Sequence, residues 1–101
     1  MYRLTQSAQL NAAYQHIAAL IQSSAEWFYT IDDQSHAIAR DEIQISISYK
    51  SLFLSLWTDK GTRIWKVRRW MWTGTALLLE ASRRMGAEQS VIELSDRKSV
   101  V

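Results

Sequence analysis

Residues 43–72 read IQISISYKSLFLSLWTDKGTRIWKVRRWMW, and this stretch decides the fold that the sequence predicts. Isoleucine recurs at every second position in 43–47, and leucine does so in 52–56. A period of two with apolar side chains is typical of strands that bury one face. The apolar positions change from odd to even numbers between the two runs, so we expect a tight turn or a β-bulge near residues 50–51.

The second half of this stretch is open to two interpretations. Residues 58–62, TDKGT, predict a turn in which Gly61 supplies a positive φ. Residues 63–72 then form either a strand that pairs back on 52–57 or the first part of a long helix. We favour the strand, because a Trp-rich run after a turn is typical of a hairpin and the following Thr-Gly-Thr offers a break. Strict alternation would place Trp65, Val67 and Met71 on one face and Ile64, Lys66, Arg68, Trp70 and Trp72 on the other.

Helical periodicity appears on the N-terminal side. Residues 7–24 carry apolar side chains at intervals of three and four, which predicts one helix with a buried stripe. Polar, uncharged side chains cover its other face, and we interpret them as a solvated face in preference to a contact with a second subunit. The stripe includes Leu10, Tyr14, Ile17 and Ile21.

The C-terminal side predicts a helix, a strand and a tail. Residues 75–85, TALLLEASRRM, form the second predicted helix, which begins at a Thr N-cap and ends at Gly86. Residues 91–94 form a short strand, and 95–101 form a flexible polar tail. After the first helix, the polar segment 31–42 predicts a loop with room for a short turn of helix.

These elements predict an α+β fold in the order α-β-β-β-α-β. An antiparallel sheet of three to four strands carries two helices, 7–24 and 75–85, packed on one face. The alternative makes 63–85 one long helix over a two- or three-stranded sheet. A chain of 101 residues buries one modest core, so we expect a single compact domain over residues 1–101.

Composition and spacing argue against an enzyme. The chain has no cysteine, which removes disulfides, thiolate metal ligands and thiol nucleophiles, and its three glycines build no phosphate-binding loop. No G-x-S-x-G motif marks a serine nucleophile. Asp32, Asp33 and His36 have the spacing of a local metal site, but we interpret them as a solvated acidic loop. We therefore expect no catalytic residue, metal, cofactor or small-molecule substrate.

The candidate binding surface is residues 60–72, which we call the basic aromatic segment. It holds five of the twelve basic residues and three of the five tryptophans, with no acid. Residues 1–59 carry three more acids than bases, whereas residues 60–101 carry five more bases than acids. Nucleic-acid grooves need cations for phosphates and flat side chains for bases, although core tryptophans crossed by Arg and Lys stems give the same pattern. The candidate binding residues are Lys60, Arg63, Trp65, Lys66, Arg68, Arg69, Trp70, Trp72, Arg83 and Arg84.

These observations predict a small non-enzymatic binding module that acts through protein–protein interaction, as an adaptor, inhibitor or immunity-type protein. The alternative is a nucleic-acid-binding domain that uses the basic aromatic segment. Residues 43–57 contain one charge, Lys50, so an exposed strand edge there would tend to pair with other chains. We therefore expect a homodimer in which this strand pairs with its copy across a two-fold axis. The sequence shows neither a signal peptide nor about 18 consecutive apolar residues, and we expect a cytoplasmic protein with no membrane contact.

Overall fold

The structure is a computed structural model that describes residues 2–3, 7–59, 61–83 and 89–96. Within these ranges the chain forms one α-helix, one short 3₁₀ turn and eight strands. In chain order they are β1 (Tyr2–Arg3), α1 (Ser7–Gln22), β2 (Glu26–Ile31), β3 (Gln34–Ala39), η1 (Arg40–Glu42), β4 (Ile43–Ser48), β5 (Ser51–Thr58), β6 (Gly61–Trp72), β7 (Ala76–Arg83) and β8 (Gln89–Asp96).

The strands form one antiparallel sheet. β4 to β8 follow one another as a meander, and β2 returns to pair with β8, so the order is β3-β2-β8-β7-β6-β5-β4. The β2–β8 register places Trp27 opposite Asp96 and Thr30 opposite Glu93. β1 pairs with β6 beyond the end of β5. The sheet curls into a half-barrel, and η1 joins its two outermost strands, β3 and β4.

The predicted α+β fold, a sheet of three to four strands carrying two helices in the order α-β-β-β-α-β, is wrong. The described residues contain a path of seven paired strands and a single α-helix. The helix predicted over 7–24 is confirmed by α1, whose Leu10, Ile17 and Ile21 are buried. The error therefore lies in the C-terminal half and in the segment after α1.

The second predicted helix, residues 75–85, is wrong because the segment forms a central strand. β7 pairs with β6 on one side and with β8 on the other, and it buries Leu77, Leu79 and Ala81. The helix propensities of Ala, Leu and Glu exceed those of most other residues by less than about 1 kcal/mol each, so burial and strand pairing override them. The alternative single helix over 63–85 is wrong for the same reason.

Two hairpins use two-residue turns in which both residues have positive φ. Tyr49 and Lys50 have φ of 50° and 60°, so the change of apolar face near residues 50–51 is a tight turn. Asp32 and Asp33 have φ of 52° and 63° and join β2 to β3. The loop predicted over 31–42 is therefore wrong for residues 34–39, which form β3, whereas a short turn of helix is present as η1 at residues 40–42. Both turns have type I′ dihedral angles, whose twist matches that of the flanking strands.

The C-terminal predictions fall partly outside the described residues. The strand predicted over 91–94 is confirmed, because it lies within β8. Of the predicted tail 95–101, Ser95 and Asp96 form the end of β8, and 97–101 lie outside the described residues.

A β-bulge at Arg68 decides which side chains of β6 face the core. Val67 pairs with Ala81 and Arg69 pairs with Glu80, so Arg68 is an extra residue in β6. The strict alternation predicted for residues 63–72 is wrong after Val67, because the bulge changes the phase of the strand. Trp65, Val67, Trp70 and Trp72 share the core face, and Lys66, Arg68 and Arg69 share the outer face.

Indole rings and α1 fill the concave face of the sheet. Trp27, Trp65 and Trp70 are 0%, 1% and 3% exposed. The Trp27 indole N–H donates hydrogen bonds to the carbonyl oxygens of Ile21 and Ser24 at 3.0 and 3.2 Å. These bonds satisfy acceptors that the end of a helix leaves open, and they fix α1 to β2. In the part of the chain that the structure describes, no helix has the length and apolarity needed to cross a membrane.

Replacing Ile17 by Ala tests which face of α1 packs against the sheet. Ile17 is 0% exposed in the core cluster, so the change leaves a cavity and we expect a loss of about 2 to 5 kcal/mol in the free energy of unfolding. Gln15→Ala on the exposed face of the same helix is the matched control, with an expected change of less than about 0.5 kcal/mol. Urea denaturation followed by circular dichroism measures both. A larger loss for Gln15→Ala than for Ile17→Ala would mean that the other face of α1 is inside.

Candidate binding cleft between two hairpins

Two β-hairpins enclose a cleft at one end of the curled sheet. The β2–β3 hairpin forms one wall, and the β5–β6 hairpin forms the other. The cavity between them has a volume of about 570 Å³, and no described residue of α1 lines it. That volume lies within the range of about 300 to 1,000 Å³ that is typical of binding sites. The lining residues are Tyr29, Ile31, Asp32, Gln34, His36, Ala37, Ile38, Glu42, Leu56, Trp57, Thr58, Asp59 and Arg63.

The β2–β3 hairpin places an aromatic pair on its wall of the cleft. Tyr29 on β2 lies directly opposite His36 on β3, and opposite residues of an antiparallel pair project to the same face. The centroids of the two rings are 5.2 Å apart, and the ring planes are inclined by 30°. The Asp32–Asp33 turn fixes this register, since it leaves Ile31 opposite Gln34. The aromatic pair is thus positioned by the backbone of a tight hairpin.

The β5–β6 hairpin places Arg63 and Trp57 on the opposite wall. Thr58 pairs with Gly61, whose φ of 112° confirms the positive φ predicted for this glycine. Arg63 lies opposite Leu56, on the same face as the core residue Trp65. β4 begins opposite Leu56 and therefore does not extend alongside Trp57, which remains 52% exposed.

The edge of β3 is free along the cleft. Among the described residues, β3 pairs with β2 alone. The pair that flanks a two-residue turn exchanges both backbone hydrogen bonds, and such pairs alternate along a hairpin. The backbone groups of Ser35, Ala37 and Ala39 are consequently directed away from β2. The Ala39 N–H donates to Oε1 of Glu42 at 3.0 Å, which agrees with this direction. Ser35 and Ala37 present their N–H and C=O groups at the edge.

The charge of the cleft is predominantly acidic. Asp32, Glu42 and Asp59 line it from three different turns, and Arg63 is the one Arg or Lys among the described residues that line it. Three carboxylates against one guanidinium repel phosphate groups and attract cations. The sign is opposite to that of the basic aromatic segment, so the two surfaces suit different ligands.

The structure divides the predicted binding residues among several places. Trp65 and Trp70 are buried, and Trp72 packs against the core. The guanidinium of Arg83 lies 5.7 Å from the centroid of the Trp65 ring, a cation–π distance. The indole rings are therefore used in packing, and none of the three forms an exposed platform. Arg63 lies in the cleft, Lys66, Arg68 and Arg69 are exposed on the outer face, and Lys60 and Arg84 lie outside the described residues.

Sequence reasoning identified Arg63 as a binding residue but did not assign the other residues that line the cleft to a binding site. His36 and Glu42 lie within the predicted loop 31–42, and Tyr29 precedes it. Five of the six side chains of β3 are exposed, so the segment lacks the alternation of apolar and polar residues by which strands are recognised. The available signal was the Asp32–Asp33 pair, because Asp is one of the few residues that adopt left-handed dihedral angles.

Two further results concern metal binding and similarity to known proteins. The described residues include no group of three or more His, Asp or Glu side chains that could hold a metal ion. Comparison of the chain with protein-family models, with curated proteins and with solved structures finds no match.

Iodide quenching of tryptophan fluorescence tests the exposure pattern. Trp57 is 52% exposed and Trp72 is partly buried, whereas Trp27, Trp65 and Trp70 are at most 3% exposed. Trp57→Phe should therefore remove most of the quenchable fluorescence. Tyr49→Phe, a change at an exposed aromatic that is not a tryptophan, is the control and should leave the quenching unchanged. Persistent quenching in Trp57→Phe would place one of the other indoles at the surface.

Proposed function

We propose that this chain is a small non-enzymatic binding module that holds an extended, basic segment of a partner protein in the cleft between its two hairpins. The observation that carries this proposal is the free edge of β3 along an acidic cavity of about 570 Å³. The cytoplasmic location expected from the sequence is part of the same proposal.

Backbone geometry supports an extended partner. An exposed strand edge binds peptides by strand addition, in which main-chain hydrogen bonds supply affinity and side-chain sites supply selectivity. Ser35 and Ala37 offer two N–H donors and two C=O acceptors at this edge. A peptide strand added there would run along the mouth of the cleft, and its alternate side chains would point inward between Tyr29 and Arg63.

Side-chain chemistry supports basic residues on the partner. A Lys or Arg that enters the cleft meets the carboxylates of Asp32, Glu42 and Asp59. Arg63 disfavours a segment in which every inward position is basic. The cleft therefore suits a segment in which one or two of the inward-facing positions are cationic and the other inward-facing positions are apolar.

A nucleic-acid role is the second candidate, and the bulge in β6 favours it. The extra residue places Arg68 and Arg69 next to one another on the outer face, together with Lys66. Such a cluster can contact phosphates. The buried positions of Trp65 and Trp70 leave no indole there for base stacking, so the surface would bind through charge alone.

The decisive test blocks strand addition without changing the charge. Ala37→Pro removes one outward N–H at the edge of β3, a position where proline is compatible with a sheet. The probe is a short capped peptide of Val and Thr that carries one Lys, with Val at the next position on the same face. We expect the dissociation constant to rise by about tenfold, because one lost hydrogen bond contributes about 1 kcal/mol and the ring obstructs the edge. Fluorescence of Trp57 reports binding.

Three controls separate the two candidates. Ala37→Thr keeps the N–H and should bind the peptide normally, and the same peptide with Glu in place of Lys should not bind. Arg68→Ala with Arg69→Ala should leave peptide binding unchanged. If the wild type instead binds an oligonucleotide with a steep salt dependence that this double variant loses, and ignores the peptide, the second candidate replaces the first.

A further inference from the structure

The edge of β4 carries none of the features that protect an exposed strand. β4 reads IQISIS and contains no charge, proline or glycine. Among the described residues it pairs with β5 alone, so its other side is an edge of the sheet. Natural edge strands avoid uncontrolled pairing by charges, prolines or bulges, and a long uncharged edge is suited to pairing with another chain.

Exposed apolar side chains are concentrated beside this edge. The large hydrophobic residues that are exposed in the described part of the chain are Ile47, Tyr49, Trp57 and Val91, at 37%, 94%, 52% and 55%. Ile47 lies on β4, Tyr49 lies in the turn that follows it, and Trp57 lies just beyond its start. Three of the four therefore lie near one strand edge, where a partner would cover Ile47 and Tyr49.

The backbone of β4 presents a regular set of donors and acceptors. Ser48 and Ser51 flank the Tyr49–Lys50 turn and form a hydrogen-bonded pair, so by alternation the odd-numbered residues of β4 face away from β5. The Ile43 N–H agrees with this direction, because it donates to the carbonyl oxygen of Arg40 in η1. Ile45 and Ile47 thus direct two N–H and two C=O groups to the edge.

Charges at the two ends of the strand select one register for a second copy. Glu42 precedes β4 and Lys50 follows it. In an antiparallel pair related by a two-fold axis at Ser46, the end of η1 that carries Glu42 adjoins the turn that carries Lys50 of the partner subunit, and the same contact recurs at the other end of the strands. The same register places Ile45 opposite Ile47 of the partner subunit, which covers an exposed isoleucine. Centring the axis one residue earlier would leave Glu42 opposite Ser48 of the partner subunit and lose both ion pairs.

We propose that two copies of this chain join their sheets through β4, in antiparallel register about Ser46, with reciprocal Glu42–Lys50 ion pairs at the two ends of the interface. Four backbone hydrogen bonds from Ile45 and Ile47 of the two copies connect the strands. The faces match, because opposite residues project to the same side: isoleucines meet on the core side, and serine and glutamine meet on the outer side. The interface uses the edge of β4 and the proposed peptide site uses the edge of β3, so pairing through β4 does not depend on the peptide, although Glu42 also lines the cleft.

A single cysteine tests the register. The chain has no native cysteine, so Ser46→Cys introduces one thiol per copy. At the two-fold axis the opposite Cα atoms of a pair without hydrogen bonds are about 4.5 Å apart, within the range that a disulfide bridges. Ser48→Cys is the matched control, because its two copies would be four residues out of register, about 13 Å apart. Mild oxidation should convert Ser46→Cys to a covalent dimer and leave Ser48→Cys monomeric on a non-reducing gel.

A mixing experiment tests the ion pairs in solution without peptide. Glu42→Lys alone and Lys50→Glu alone each place like charges opposite one another at both ends, so light scattering should show a shift towards monomer relative to the wild type. An equimolar mixture of the two variants restores opposite charges at both ends, and we expect a heterodimer. Circular dichroism of each variant confirms that it is folded. A wild type that is monomeric at every concentration, equal cross-linking of both cysteine variants, or no heterodimer on mixing would overturn the proposal.

Discussion

The three residues of η1 impose the constraint on which the rest of the structure depends. They join β3 and β4, which are the two outermost strands of a seven-strand path. In a flat sheet those strands would lie about 29 Å apart, at about 4.8 Å per interval. The step from Ala39 to Ile43 covers four residues and spans at most about 14 Å. The sheet must therefore curl until its edges approach one another near η1. This curl produces the half-barrel, which has a concave face that is filled and an end that is open.

The hydrogen bonds around η1 hold this curl in place. The backbone N–H of Arg40 donates to the carbonyl oxygen of Ala25 at 2.9 Å, and its guanidinium donates to the carbonyl oxygen of Gln22 at 3.2 Å. The end of α1 is thus tied both to η1 and, through the Trp27 indole, to β2. The concave face of a curled sheet must pack against another element. Here it packs against α1, which contributes Leu10, Ile17 and Ile21 to the core. The same arrangement leaves the far end of the two hairpins uncovered, which creates the cleft.

The elements that the sequence predicts are those whose periodicity is set by one buried face. α1 shows intervals of three and four, and β4 and β5 show intervals of two, so their types follow from pattern alone. β7 fails because it is paired on both sides and is built from Leu, Ala and Glu, which favour helices locally. Contacts that are distant in sequence decide its conformation, and no local pattern contains them.

The site was unpredictable for a different reason. Its walls come from residues 29–38 and 56–63, which approach one another only because the sheet curls. The basic aromatic segment is a candidate binding surface in the sequence because basic residues and tryptophans are adjacent in it. In the structure, the bulge at Arg68 directs Trp70 to the core and leaves Arg68 and Arg69 on the outer face. A single extra residue thus separates two features that are contiguous in the sequence. Such a bulge leaves no compositional mark in β6, since Arg68 resembles its neighbours.

The most direct test of this account is the nuclear Overhauser spectrum of the labelled protein over residues 76–83 and 26–31. The curled sheet requires cross-strand contacts between Leu79 and Ile92 and between Tyr29 and Leu94, because β7 and β2 both pair with β8. The account predicts strong sequential Hα–HN contacts and these two cross-strand contacts. Helical contacts between residues three apart within 76–83, or no contact between Tyr29 and Leu94, would contradict it.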